Sequence, residues 1–102
     1  MTTTPAAATP TDDELLTTLR EALTDILDPS DLAHVDLDRL DRTTPLLSLP
    51  LDSITLVAAM SRIENAFRVF IPEQKAFAFT HIGDLADYVR ERVAAKAARA
   101  DK

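Results

Sequence analysis

The chain has 102 residues, no cysteine and a formal charge of −6, which is the length of one small domain with a modest core. The missing thiols exclude a disulfide framework, a thiolate metal site and a cysteine nucleophile, and they suit the cytoplasm. The negative charge argues against nucleic acid, whose phosphates attract lysine and arginine, and no apolar run nears the roughly 20 residues of a membrane span.

The opening "MTTTPAAATP" has neither the basic start nor the apolar block of a signal peptide. Residues 1–11 are expected to be a disordered lead-in. A helical period then sets in. Over residues 12–28, Leu15, Leu19, Leu23 and Ile26 share one stripe, with Leu16 and Leu27 beside it. Thr11 or Asp12 can cap this helix, and Asp13 and Glu14 suit its positive end. Pro29 ends it, because the residue before a proline resists helical geometry.

Residues 29–51 form a long connection with room for short helical turns, and connections of this length are often functional. Leu32, Val35, Leu37, Leu40, Leu46, Leu47 and Leu49 are expected to pin it to the core. Its aspartates, Asp36, Asp38 and Asp41 among them, lack the glycine and the terminal glutamate of a calcium loop. They read as solvated charges, and no metal site is expected.

The next helix begins after Asp52. Leu56, Met60, Ile63 and Phe67 fall on one face. Ile54, Val57, Ala58 and Ser61 make a second stripe, either for further packing or as an apolar patch for a partner. "RVFIPE" reads as an extended link into a short helix around Pro72–Phe77, since proline is tolerated in a first helical turn. Phe70, Phe77 and Phe79 are expected in the core. Thr80 is placed to cap the last helix, which turns Ile82, Leu85, Tyr88, Val89 and Val93 inward. Asp84 near its start, and Arg90 and Arg92 later, suit its dipole. The expected fold is all-α, a compact bundle of three main helices plus one short helix, with the long loop between helices one and two. The folded domain is expected over residues 12–95, and residues 96–102 as a frayed tail.

Ser53 draws the functional argument. With Asp52 as cap, Ser53 is the first residue of its helix, and its hydroxyl stands uncrowded at the tip of the domain. A phosphodiester on it would lie near the positive helix end. Nothing nearby would activate the hydroxyl for self-catalysis. There is no GxSxG elbow, and the only histidines are His34 and His81, both read as surface or loop residues.

"LPLDSITLVAAMSRIENAFRVFIP" followed by "FTHIGDLADYV" resembles the acyl carrier protein family. The resemblance rests on Asp52, Ser53 and Ile54, then Phe67, then Ile71 and Pro72, then Thr80, and it covers roughly residues 12–93. It implies that Ser53 receives covalent 4'-phosphopantetheine from coenzyme A through a phosphopantetheinyl transferase. The arm's thiol would then hold an acyl or aminoacyl group as a thioester. The protein would be a non-catalytic, stand-alone carrier in polyketide, nonribosomal peptide or fatty-acid-like assembly. An acyltransferase, ketosynthase or adenylating ligase would act on it in trans. In the family, the second helix and the loop before it face partners, which makes Leu51, Ile54, Val57, Ala58, Ser61 and Arg62 the expected docking set. A cytoplasmic monomer is expected.

Two departures matter. Pro50 stands where the family has a glycine, which stiffens the approach to Ser53. The acidic ladder of fatty-acid carriers is also missing. Thr55, Ala58 and Ser61 occupy that face, and Glu64 is the only acid of the helix after Asp52. Electrostatic steering by this helix is therefore expected to be weak, unless the loop aspartates compensate. That favours a dedicated pathway with apolar docking over housekeeping fatty-acid partners. The alternative is a carrier-like helical domain that is never modified and serves only to bind proteins.

Overall fold

The structure, a computed structural model, describes residues 10–100, so of the expected lead-in only Pro10 and Thr11 are described. Among these residues the helices are α1 (Asp12–Ile26), α2 (Pro29–Leu32), α3 (Ser53–Phe67), α4 (Glu73–Ala78) and α5 (Ile82–Ala100). Single 3-10 turns at Leu37–Arg39 and Leu46–Ser48 lie between α2 and α3. The expected all-α bundle of three main helices forms, with α2 as a second short helix inside the long connection.

Thr11 is the cap of α1. Its hydroxyl accepts the Glu14 amide at 3.1 Å, and the Glu14 carboxylate accepts the Thr11 amide at 2.8 Å. This reciprocal pair satisfies two amides that the first helical turn leaves without partners. Leu15, Leu16, Leu19, Ala22 and Leu23 are buried, and the helix packs on α3. It stops at Ile26 rather than Asp28, because Leu27 and Asp28 are already extended on the approach to Pro29, with ψ of 147° and 151°. Pro29 then opens α2 as its first residue.

The core lies between α1, α3 and α5. Leu15, Leu19, Leu23, Ile63, Ile82, Leu85 and Val89 are fully buried, and each such side chain contributes about 1.5–3 kcal/mol of burial free energy. Leu40, Leu46 and Leu49 anchor the connection, with Leu32, Val35 and Leu37 half-buried against the same core. Leu47 does not join them and is 95% exposed. A 3-10 turn has three residues per turn, so Leu46 and Leu49 face the core together and Leu47 falls outside.

Two of the three phenylalanines expected inside are also exposed. Phe70 precedes buried Ile71 in an extended link, where successive side chains alternate, and it is 71% exposed. Phe77 follows buried Ala76 on α4 and is 53% exposed. Phe79 is half-buried, with its ring 5.6 Å from that of Tyr88.

The start of α5 also differs from the expectation. Thr80 does not cap it by accepting a helical amide. Instead the Asp84 carboxylate reaches back and accepts from the Thr80 hydroxyl at 2.7 Å, the Thr80 amide at 3.0 Å and the His81 amide at 3.1 Å. At the other end, α5 continues to Ala100 instead of fraying from residue 96. The alanine-rich sequence favours helix, and Lys96 Nζ donates to the Arg68 carbonyl at 2.9 Å. Residues 101–102 lie outside the described range.

Candidate functional site

A short ladder fixes the approach to α3. The Leu46 amide donates to the Thr80 carbonyl at 2.9 Å, the Ile82 amide to Thr44 at 3.0 Å and the Gly83 amide to Arg42 at 2.8 Å. The connection is thereby held against the first turn of α5. Gly83 is what lets it come so near, since a Cβ there would sit 2.9 Å from the Arg42 carbonyl oxygen. Arg42 locks the same junction from outside. Its guanidinium pairs with Asp12 of α1 at 3.2 Å and with Asp87 of α5 at 2.9 Å. Arg90, expected to serve the helix dipole, pairs with the same two aspartates at 2.6 Å and 3.1 Å. Past the ladder, Leu49 is extended ahead of Pro50, and the chain delivers Asp52 to the head of α3.

Asp52 caps α3, as the sequence predicts. Its carboxylate accepts the Thr55 amide at 2.8 Å, and the Thr55 hydroxyl accepts the Asp52 amide at 2.8 Å. The Thr55 amide, and then its hydroxyl, hold the Asp52 carboxyl below the ordinary carboxylate range, so it stays ionised near neutral pH. Thr55 was noticed in the sequence only for lacking charge, and its role in this pair was missed. A threonine three residues after a capping aspartate is the signal that reveals it.

Ser53 follows as the first residue of α3 and is exposed. Its hydroxyl makes no hydrogen bond to any described residue. His34 and His81 are exposed, and the ring of His81 meets Thr80 at 3.0 Å. Among the described residues, no base is therefore bonded to Ser53. The position fits a phosphodiester, with an open hydroxyl at the positive end of a long capped helix.

The expected docking set separates by exposure. Ile54 is 78% exposed, and Ser61 and Arg62 are exposed as well. Val57 and Ala58 are half-buried, and Leu51 packs partly against the core. Arg62 is paired with Asp25 of α1 at 2.7 Å. Glu64, the one acid of α3, accepts the Ile71 amide at 2.6 Å and so braces the link to α4. No acidic ladder stands on this helix. The sequence reading missed a second wall beside Ser53. Glu73 and Phe77 of α4 join Ser53, Ile54 and Val57 around a groove of about 270 Å³. Once Ala76 is known to face inward, the four-residue spacing of Glu73 and Phe77 puts both on an outer face.

Among the described residues there is no cluster able to hold a metal ion, and no helix is long and apolar enough to cross a membrane.

Comparison with known proteins gives a family and a similar fold. The family model described as "Phosphopantetheine attachment site" matches residues 17–89. Among solved structures, the chain is similar to a hexanoyl ACP, a non-natural intermediate, from the actinorhodin polyketide synthase of Streptomyces coelicolor. That structure is 25% identical with a TM-score of 0.66, and the match covers 87% of this chain and 96% of that one. No curated protein matches the chain.

Proposed function

The chain belongs to the phosphopantetheine attachment-site family of acyl-carrier-like proteins, and from that membership we propose that Ser53 is its attachment residue and that the protein carries acyl groups for polyketide assembly. The observation that carries this reading is the exposed Ser53 hydroxyl, first residue of a helix capped by Asp52, inside the matched span. Members of the family bear covalent 4'-phosphopantetheine and are generally non-catalytic.

On this reading, Ser53 Oγ bonds to the phosphorus that bears the pantetheine arm in coenzyme A. The phosphoanhydride P–O bond breaks, and adenosine 3',5'-bisphosphate leaves with the electron pair. The serine proton goes to a base of the transferase, since no group among the described residues is hydrogen-bonded to Ser53. When attached, the group supplies a thiol that holds an acyl chain as a thioester. This chain's own part is to hold the helix start rigid through Asp52 and Thr55 and to keep the hydroxyl open. Ile54, Val57, Ala58, Ser61 and Arg62, with Leu51 at the approach, form the proposed docking face.

The likeness to a polyketide carrier and the lack of an acidic ladder along α3, where Glu64 is the one acid, support polyketide partners acting in trans over fatty-acid partners. The carrier unit proposed is residues 12–95, and among the described residues the buried ones fall between Leu15 and Val89. The cytoplasm, where coenzyme A is at hand, suits it.

The test of cargo chemistry is to load the protein from an acyl-coenzyme A with a transferase and then add hydroxylamine. The reading predicts a mass gain of acyl-phosphopantetheine, of which hydroxylamine removes the acyl part alone. A gain that resists hydroxylamine in full would contradict a thioester.

A further inference from the structure

Between Leu40 and Leu46, both buried, the connection has no buried side chain. Residues 41–45 are therefore held to the bundle mainly by polar bonds. One fastening is the backbone ladder, in which the Ile82 and Gly83 amides donate to the Thr44 and Arg42 carbonyls at 3.0 Å and 2.8 Å. The other is a closed ring of four charges. Asp87 gives one carboxylate oxygen to Arg42 at 2.9 Å and the other to Arg90 at 3.1 Å. Asp12 accepts from Arg42 at 3.2 Å and from Arg90 at 2.6 Å. Each arginine bridges both aspartates, and the members come from α1, the connection and α5.

Isolated surface ion pairs contribute little, but a network in which each guanidinium serves two carboxylates is the exception. The ring has no net charge. Loss of one member leaves an unbalanced charge and two loosened neighbours, so the ring fails as a unit. Its side chains are 34% to 55% exposed, which leaves them open to screening by salt.

The long helices have fastenings of their own. Thr11 and Glu14 cap α1, Asp52 and Thr55 cap α3, and Asp84 holds the Thr80 and His81 amides at the start of α5. The ends of the stretch are also anchored. Arg20 of α1 donates to the Leu37 carbonyl at 2.7 Å, and Leu40, Leu46 and Leu49 are buried. A stretch with no buried side chain and water-exposed fastenings is the kind that opens locally.

We propose that the ring of Asp12, Arg42, Asp87 and Arg90 is a salt-sensitive latch that holds residues 41–45 against the first turn of α5. Breaking it opens this strap as a unit while α1, α3 and α5 stay folded. The strap leads through exposed Leu47 to Pro50 and Asp52, so the latched and open states present different surfaces ahead of Ser53. The latch operates whether or not Ser53 is modified.

Amide hydrogen exchange of the full-length, unmodified protein, read residue by residue by NMR, tests this. The Ile82 and Gly83 amides report on the strap, and the Leu19 and Ile63 amides, within α1 and α3, report on global opening. Ile82 and Gly83 are expected to exchange faster than Leu19 and Ile63 in the wild type. Arg42→Gln is expected to raise exchange at Ile82 and Gly83 roughly tenfold, with Leu19 and Ile63 within about threefold of wild type. Asp87→Asn is expected to do the same. The double variant is expected to add no more than about twofold, because the first break already opens the ring. Asp25→Asn, which breaks the separate pair with Arg62, is expected to leave Ile82 and Gly83 unchanged. Raising salt from roughly 50 to 500 mM is expected to speed the same two amides in the wild type.

An equal rise at all four amides in both single variants would overturn the proposal, since the ring would then support the whole fold. Unchanged exchange at Ile82 and Gly83 in both would overturn it too, and would leave the strap fastened by the ladder alone. Effects that add in full in the double variant would mean separate ion pairs in place of a latch.

Discussion

Asp84 is an exposed aspartate whose carboxyl is drawn down to about 2 by the Thr80 hydroxyl first, then by the Thr80 and His81 amides. These donors bind the ionised form, so the folded protein releases this proton more readily than the unfolded chain does. The resulting stability is complete above the ordinary aspartate value of 3.8 and is lost as pH falls through about 2. Asp84→Asn removes it. Urea unfolding should therefore show a gap between wild type and Asp84→Asn that is full near about pH 6 and closes between about pH 4 and 2. A gap constant across that range would mean that the carboxylate is not held by Thr80 and His81.

Elements were legible in the sequence wherever a long period repeated. Leu15, Leu19 and Leu23 mark α1, and Met60 and Ile63 mark the inner face of α3, because burial of one helical stripe depends on spacing alone. Ser53 and its cap were legible for the same reason, since the cap is a local matter of three residues. What failed was the side of short elements. Leu47 sits in a single 3-10 turn and Phe77 in a six-residue helix, and neither is long enough for its own pattern to show which face is inside. Their apolar character pointed inward, while the packing of Leu46, Leu49 and Ala76 settled the matter the other way. The α4 wall beside Ser53 was missed by the same route, because a phenylalanine assigned to the core does not offer itself as a surface.

The junction between the connection and α5 belongs to the element scale too. The chain's single glycine is there because two backbones meet, with the Gly83 amide 2.8 Å from the Arg42 carbonyl. A Cβ 2.9 Å from that oxygen, and 3.1 Å from the Arg42 guanidinium carbon, leaves no room for alanine. Gly83→Ala should destabilise the fold by about 1–3 kcal/mol, the usual cost of overpacking, read as a lower urea midpoint. An unchanged midpoint would mean that the ladder holding the connection contributes little.

At the scale of the whole molecule, charge is unevenly placed. Residues 1–52 carry 11 acids and 3 bases, and residues 53–102 carry 6 acids and 8 bases. Several of the acids are used within the fold. Asp12 joins the network of Arg42 and Arg90, Asp25 holds Arg62, Asp36 holds Arg39, and Asp41 binds Thr43 in its own turn. The loop aspartates therefore largely build their own turns, and the end of the molecule that bears Ser53 has apolar side chains where charged docking would need a ladder of acids. Such a surface suits a carrier that is handed between enzymes by shape and burial, with weak long-range steering.

That account stands on one covalent bond. The most direct measurement is the intact mass of the protein after incubation with coenzyme A and a broad-specificity phosphopantetheinyl transferase, beside Ser53→Ala with the same helical circular dichroism. The account predicts a gain of one phosphopantetheine in the wild type and none in the variant. No gain in a folded wild type, or an equal gain in Ser53→Ala, would contradict it. The first result would leave Ser53 as no more than the start of a helix.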